Sequence, residues 1–218
     1  MSKLKKCFKH DPFKVGDGKQ FWASRSGHHY RSIVGGVCFP SAEPGFCVIL
    51  GQDLHEHPQY KEPEIHVLYE KMESDHNELF ESMFVASLDH DFLDWYGHND
   101  NSVMFRLFCK SNKTPAGKQK IRLIPAPESS DNDAFGMYLT LIRSFIMPSK
   151  PLVRFGTESR LPDYLQEVSY DASLTDLYAY PAVTALGFAL SALFIYEPNC
   201  VIKKHKYNSV PLDEVLGY

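Results

Sequence analysis

The sequence predicts a mixed α/β domain whose central sheet opens with three antiparallel strands and a helix, a β-β-β-α order, with further helices flanking the sheet. Three observations over residues 30–83 predict it. Residues 30–39 and 46–51 are β-branched and aromatic runs bounded by Pro40, Pro44 and Gly45, the usual signature of strands. Residues 64–72 alternate, with Ile65, Val67 and Tyr69 falling on one face. Ser74-Asp75, with Glu78 three residues past Asp75, has the form of a capping box that starts a helix.

The elements follow in order. Residues 1–29 are polar, dotted with Gly16, Gly18 and Gly27, and read as an irregular extension that docks through Phe21 and Trp22. Residues 40–45 are short enough to make the first two strands a hairpin. The stretch 52–63 holds Pro58 and Pro63 among alternating charges and is expected as an exposed loop. The first helix carries Leu79, Met83 and Ala86 on one stripe and ends near Leu88 or Asp89. Residues 92–96, 103–108 and 121–124 are strand-like, and 110–120, with Pro115 and Gly117, is a loop. Asp131 or Asn132 caps a helix bearing Phe135, Tyr138, Leu139, Ile142, Phe145 and Ile146, which Pro148 stops. Pro162 and Pro181 each suit the first turn of a helix, where a missing N–H costs nothing. The expected organisation is an extension at 1–29, one domain at 30–198 and a peripheral tail at 199–218 with Lys203, Lys204 and Lys206.

Composition bounds the function classes. With 218 residues, 15 Phe and 12 Tyr, the chain can cover one large core. A net charge of −4 lacks the overall positive field that favours nucleic acid, although a local basic groove is compatible with it. Five widely spaced cysteines, none in a C-x-x-C pair, point to a reducing, cytoplasmic compartment. The basic start of the chain has no apolar run behind it and is not a signal peptide. Residues 177–196 contain no charge, but Pro181 and three tyrosines leave only 182–195 continuously apolar, the length of a buried core helix rather than a membrane span.

Motifs exclude more than they assign. There is no G-x-x-x-x-G-K, G-x-G-x-x-G or G-x-S-x-G, which argues against a self-contained NTPase, a dinucleotide enzyme and an α/β-hydrolase. His90, Asp94 and His98 would share a helix face and make a zinc or iron set, but Trp95-Tyr96-Gly97 is poor helix sequence that would scatter them. His55 and His57 lie in the proline-bounded loop. Glu70 near the end of the third strand, Asp94 on the strand after the first helix, and Asp131 and Asp133 at a helix start are candidate ligands. Such carboxylates can hold two hard cations about 3.5–4 Å apart and activate a water against a phosphodiester. Their ordinary alternatives are a solvent-facing strand residue and helix caps.

The runs Val34-Gly35-Gly36-Val37-Cys38-Phe39-Pro40-Ser41 and Pro44-Gly45-Phe46-Cys47-Val48-Ile49-Leu50-Gly51 resemble the first hairpin of the ribonuclease H-like superfamily, in particular of phage large terminase nuclease domains. Val67-Leu68-Tyr69-Glu70 resembles that family's third strand, and the run from Tyr180 to Leu190 its final helix. The resemblance implies a ribonuclease H-like fold of phage or prophage type and metal-dependent phosphodiester hydrolysis. Glu70, Asp94 and Asp133 would be its catalytic and metal-binding residues, Mg²⁺ or Mn²⁺ its cofactor, and DNA a candidate partner, with the choice between DNA and RNA as substrate left open. With no phosphate loop in the sequence, a terminase motor, if the chain belongs to one, must be an ATPase on a separate polypeptide. Two positions depart from the pattern. Cys38 or a neighbour stands where the family places an essential first-strand aspartate, and Thr184 and its surroundings carry no acid on the last helix. The expectation is therefore either a divergent nuclease or a degenerate relative that acts as a structural or protein-interaction domain.

Overall fold

A computed structural model of the chain describes residues 10–15, 19–24, 29–40, 44–90, 94–97, 121–126, 134–146, 152–168 and 179–195. The predicted antiparallel triplet is present. β3 (His29–Cys38), β4 (Gly45–Glu56) and β5 (Pro63–Glu73) pair in sequence order, with Val37 opposite Cys47 and Val48 opposite Glu70. α1 (His76–His90) then crosses back, and β6 (Asp94–Gly97) returns parallel to β3, beside it on the edge away from β4. β7 (Arg122–Pro125) extends the sheet parallel to β6, and β8 (Val153–Arg154) pairs parallel to β5. The central order is β7-β6-β3-β4-β5-β8, and of these six strands only β4 runs against the rest.

Two expectations are corrected. Residues 10–15 and 19–24 are not irregular: β1 (His10–Val15) and β2 (Lys19–Ser24) pair antiparallel, and β2 pairs with the start of β3 through Trp22 opposite Tyr30. The two strands lack apolar alternation, so the sequence did not announce them. The exposed loop also starts later than expected. β4 continues to Glu56, and Gln52 and Asp53 are buried because the long β3 and β5 supply pairing partners on both sides. The strand expected at 103–108, the loop at 110–120, the helix caps Asp131 and Asn132, and the tail lie outside the described residues.

The alternation of β3 and β4 sorts the core into two layers. Ile33, Val37, Phe39, Cys47 and Ile49 face α1 and pack on Leu79, Phe80 and Met83. Val34, Cys38, Phe46, Val48 and Leu50 face the other layer, built from α2 (Ala134–Ile146), α3 (Leu161–Glu167) and α4 (Pro181–Ile195). Residues 181–193 of α4 are all buried, between β3, β4 and β6 on one side and α2 and α3 on others. That explains its lack of charge: a helix apolar all round belongs inside a core. Among the described residues no helix is long and apolar enough to cross a membrane.

Local signals positioned these elements as the sequence implies. The Asp75 side chain accepts the N–H groups of Asn77 at 2.7 Å and Glu78 at 3.3 Å, which makes it the N-cap of α1. Pro162 stands in the first turn of α3 and Pro181 opens α4. A Cβ on Gly36 would collide with the Ala185 carbonyl oxygen and stand 2.8 Å from the Ala189 Cβ. The paired glycines thus let α4 approach the sheet on one face, while Gly35 receives the Trp95 ring on the other.

Candidate functional site

In an open α/β sheet the natural crevice lies beyond the carboxyl ends of strands at the point where strand order reverses. Here that point falls between β3 and β6, whose carboxyl ends are Cys38 and Gly97. Cys38 is 1% exposed, and burial pushes its thiol well above the ordinary cysteine range. The side chain at this position is therefore an enclosed thiol in an apolar setting, the environment of a structural cysteine. Cys47, on the opposite face of the next strand, is raised in the same way, first by burial.

The two described carboxylates of the predicted set do not meet. From β6 to β5 there are three strand spacings, roughly 14 Å at ~4.8 Å each. Register adds an offset along the strands, since Glu70 lies level with Gly36 through Val48, whereas Asp94 precedes Trp95, the partner of Gly35. Helix α4 packs on β3 and β4 between them. Asp133 lies outside the described residues, as does His98. His90 is the last residue of α1 and Asp94 the first of β6, so the helical spacing that would have joined His90, Asp94 and His98 is absent. Among the described residues no group of three or more His, Cys, Asp and Glu side chains is placed to hold a metal ion.

Each carboxylate has instead a local task. Asp94 is buried and accepts a hydrogen bond from Nε of Arg122, on the neighbouring strand β7, at 2.7 Å. Glu70 reaches across to the start of α3. Its Oε2 accepts the Ser159 hydroxyl and its Oε1 the Arg160 backbone N–H, both at 2.6 Å. Glu70 thereby supplies from a distant strand the cap that Arg160, the N-cap residue, does not supply itself.

Beside Glu70 lies a cleft of about 460 Å³ between β5 and α3. Phe46, Met72 and Tyr164 give it an apolar wall, the two aromatic rings meeting edge to face at 5.8 Å between centroids. Glu73, Glu158 and Arg160 are among its charged groups. The cleft was not foreseen, because its walls come from segments about 90 residues apart.

A second group also escaped the sequence. Nδ1 of His66 lies 2.9 Å from the Tyr30 hydroxyl, and its Nε2 lies 3.3 Å from Oε2 of Glu64. Arg154 on β8 donates to Oε1 of the same carboxylate from Nε and Nη2, and His57 approaches that oxygen at 3.5 Å. A carboxylate only accepts, so the pattern assigns the ring hydrogen of His66 to Nε2 and makes Nδ1 the acceptor of the Tyr30 O–H. Burial works to raise the Glu64 carboxyl, but the hydrogen bonds from Arg154 and His66 and the charge of Arg154 outweigh it and hold it below its ordinary value. Tyr30 and His66 are fully enclosed, so the relay ties β3, β5 and β8 together rather than serving a substrate. Comparison with known proteins adds no relationship: no protein-family model, no curated protein and no solved structure matches the chain.

Proposed function

We propose that this chain is a degenerate ribonuclease H-like domain that acts by binding and does not cleave phosphodiesters. The fold assignment draws support from the element order: three antiparallel strands, a crossing helix and a strand returning parallel beside the first. One observation carries the loss of activity. Glu70 and Asp94 stand on opposite flanks of α4, each held by its own partners, while a buried Cys38 occupies the first-strand position. A pair of hard cations needs ligands shared across a few ångströms, and these residues do not supply them.

The test is incubation of linear and supercoiled double-stranded DNA with the purified chain in Mn²⁺ or Mg²⁺. No cleavage is expected, and Asp94→Asn should behave as the wild type. Metal-dependent cleavage that disappears in Asp94→Asn would establish the divergent nuclease instead.

A further inference from the structure

We propose that the cleft between β5 and α3 is a binding site for an apolar carboxylate, a ligand with a hydrophobic body and one free carboxylate group. The proposal rests on the reading of the domain as a binding module and names what it would bind. At about 460 Å³ the cleft falls within the range of small-ligand pockets, about 300–1,000 Å³. Phe46, Met72 and Tyr164 supply the apolar wall. Among the described residues the Tyr164 hydroxyl donates to the Met72 sulfur, at 3.8 Å. A thioether is a weak acceptor, so this hydroxyl can turn to a ligand oxygen at little cost.

The charged lining selects the sign of the ligand. Each oxygen of Glu70 already accepts a hydrogen bond, one from Ser159 and one from the Arg160 N–H. Glu73 pairs with Lys71 at 3.0 Å, and Glu158 also has a partner. A cationic ligand would therefore compete with existing contacts for every acid. Arg160 is the exception: its backbone N–H is fixed on Glu70, yet its exposed guanidinium makes no hydrogen bond or ion pair among the described residues. A guanidinium anchored at its backbone and free at its tip is suited to bidentate capture of a carboxylate. Two sources share this chemistry, a free aromatic or aliphatic acid and the C-terminal residue of a peptide.

The test is amide NMR titration of the full chain with phenylacetate, N-acetyl-phenylalanine, its amide N-acetyl-phenylalaninamide, and the peptide acetyl-Gly-Gly-Phe with a free C-terminus. The acids should move the signals of residues 70–74 and 158–164, and the amide should not. Arg160→Gln keeps the backbone N–H on Glu70 and should weaken the acids about tenfold or more, with Arg160→Lys recovering part of the loss. Tighter binding of the peptide than of phenylacetate identifies a peptide terminus as the ligand, and equal binding identifies a small acid. Absence of shifts in these segments, equal binding of acid and amide, or an unchanged affinity in Arg160→Gln overturns the proposal. DNA cleavage would overturn the binding-module reading while leaving the titration result standing, so the two failures are distinct.

Discussion

The Glu70 carboxylate accepts the Ser159 hydroxyl at 2.6 Å, and this bond, with the adjacent Arg160 N–H, fixes the start of α3 to a strand 90 positions earlier. The geometry gives the acid a structural role. Each oxygen of Glu70 accepts one charge-assisted hydrogen bond from a protein donor. Glu70→Gln should therefore cost about 1–2 kcal/mol, the scale of hydrogen bonds to a charged group discounted for partial exposure. Urea unfolding measures the loss. Millimolar Mn²⁺ should leave the melting temperature of the wild type unchanged, since a bound ion would raise it by mass action.

Gly36 sets how closely α4 lies on the sheet. The group that an added Cβ would strike is the Ala185 carbonyl oxygen, part of a helix backbone buried on all sides, so no flexible side chain can move aside. Gly36→Ala should cost about 3 kcal/mol, the upper part of the range for overpacking a filled core. Gly35→Ala meets the Trp95 ring instead, whose Nε1 donates to Ser87 at 2.7 Å. It should displace that ring and change tryptophan emission, which Gly36→Ala should leave largely as it is.

What was legible in the sequence was local. Asp75 and Glu78 marked the start of α1 because an N-cap is chemistry within one turn, and the apolar residues of β3, β4 and β5 marked strands because alternation is a property of one segment. The uncharged run ending at Ile195 marked a core helix for the same reason. What stayed hidden was relational. Nothing near Glu70 names Ser159 as its partner, and nothing near Asp94 names Arg122 on β7. The sequence placed both acids on strands, which is correct, but the strand order that separates them depends on pairings made across the whole sheet. The Tyr30, His66, Glu64 and Arg154 relay was hidden likewise, since His66 in its strand is only one more residue of a β run.

That relay gives stability a defined dependence on pH. The folded Glu64 carboxyl lies below its ordinary value of 4.5, so the unfolded chain binds the proton more readily. A carboxyl lowered on folding contributes stability that is complete above its unfolded value and is lost as pH falls through its folded value. The charged and titratable groups facing it are Arg154 on β8, His66 on β5 and His57 at the β4–β5 turn. Glu64→Gln should be less stable than the wild type at pH 7, and the difference should shrink as pH falls below about 4. Urea midpoints collected from pH 3 to 7 measure it, and a constant difference across that range would rule out the linkage.

Asp94 and Arg122 should respond unequally to mutation. The Asp94 side chain is 6% exposed, whereas the Arg122 side chain is 54% exposed. Removing the guanidinium takes a charged hydrogen-bond partner from a buried carboxylate, at a cost of about 3 kcal/mol for Arg122→Ala. Asp94→Asn leaves only a hydrated guanidinium behind and keeps a polar group at the site, so it should cost about 1 kcal/mol. A hydrated carboxylate waiting for metal would give the opposite ranking, because losing Arg122 would then relieve nothing buried and losing Asp94 would remove a ligand. Chemical denaturation of the two variants, each with and without Mn²⁺, decides it: Arg122→Ala should be the less stable in both conditions, by the same margin.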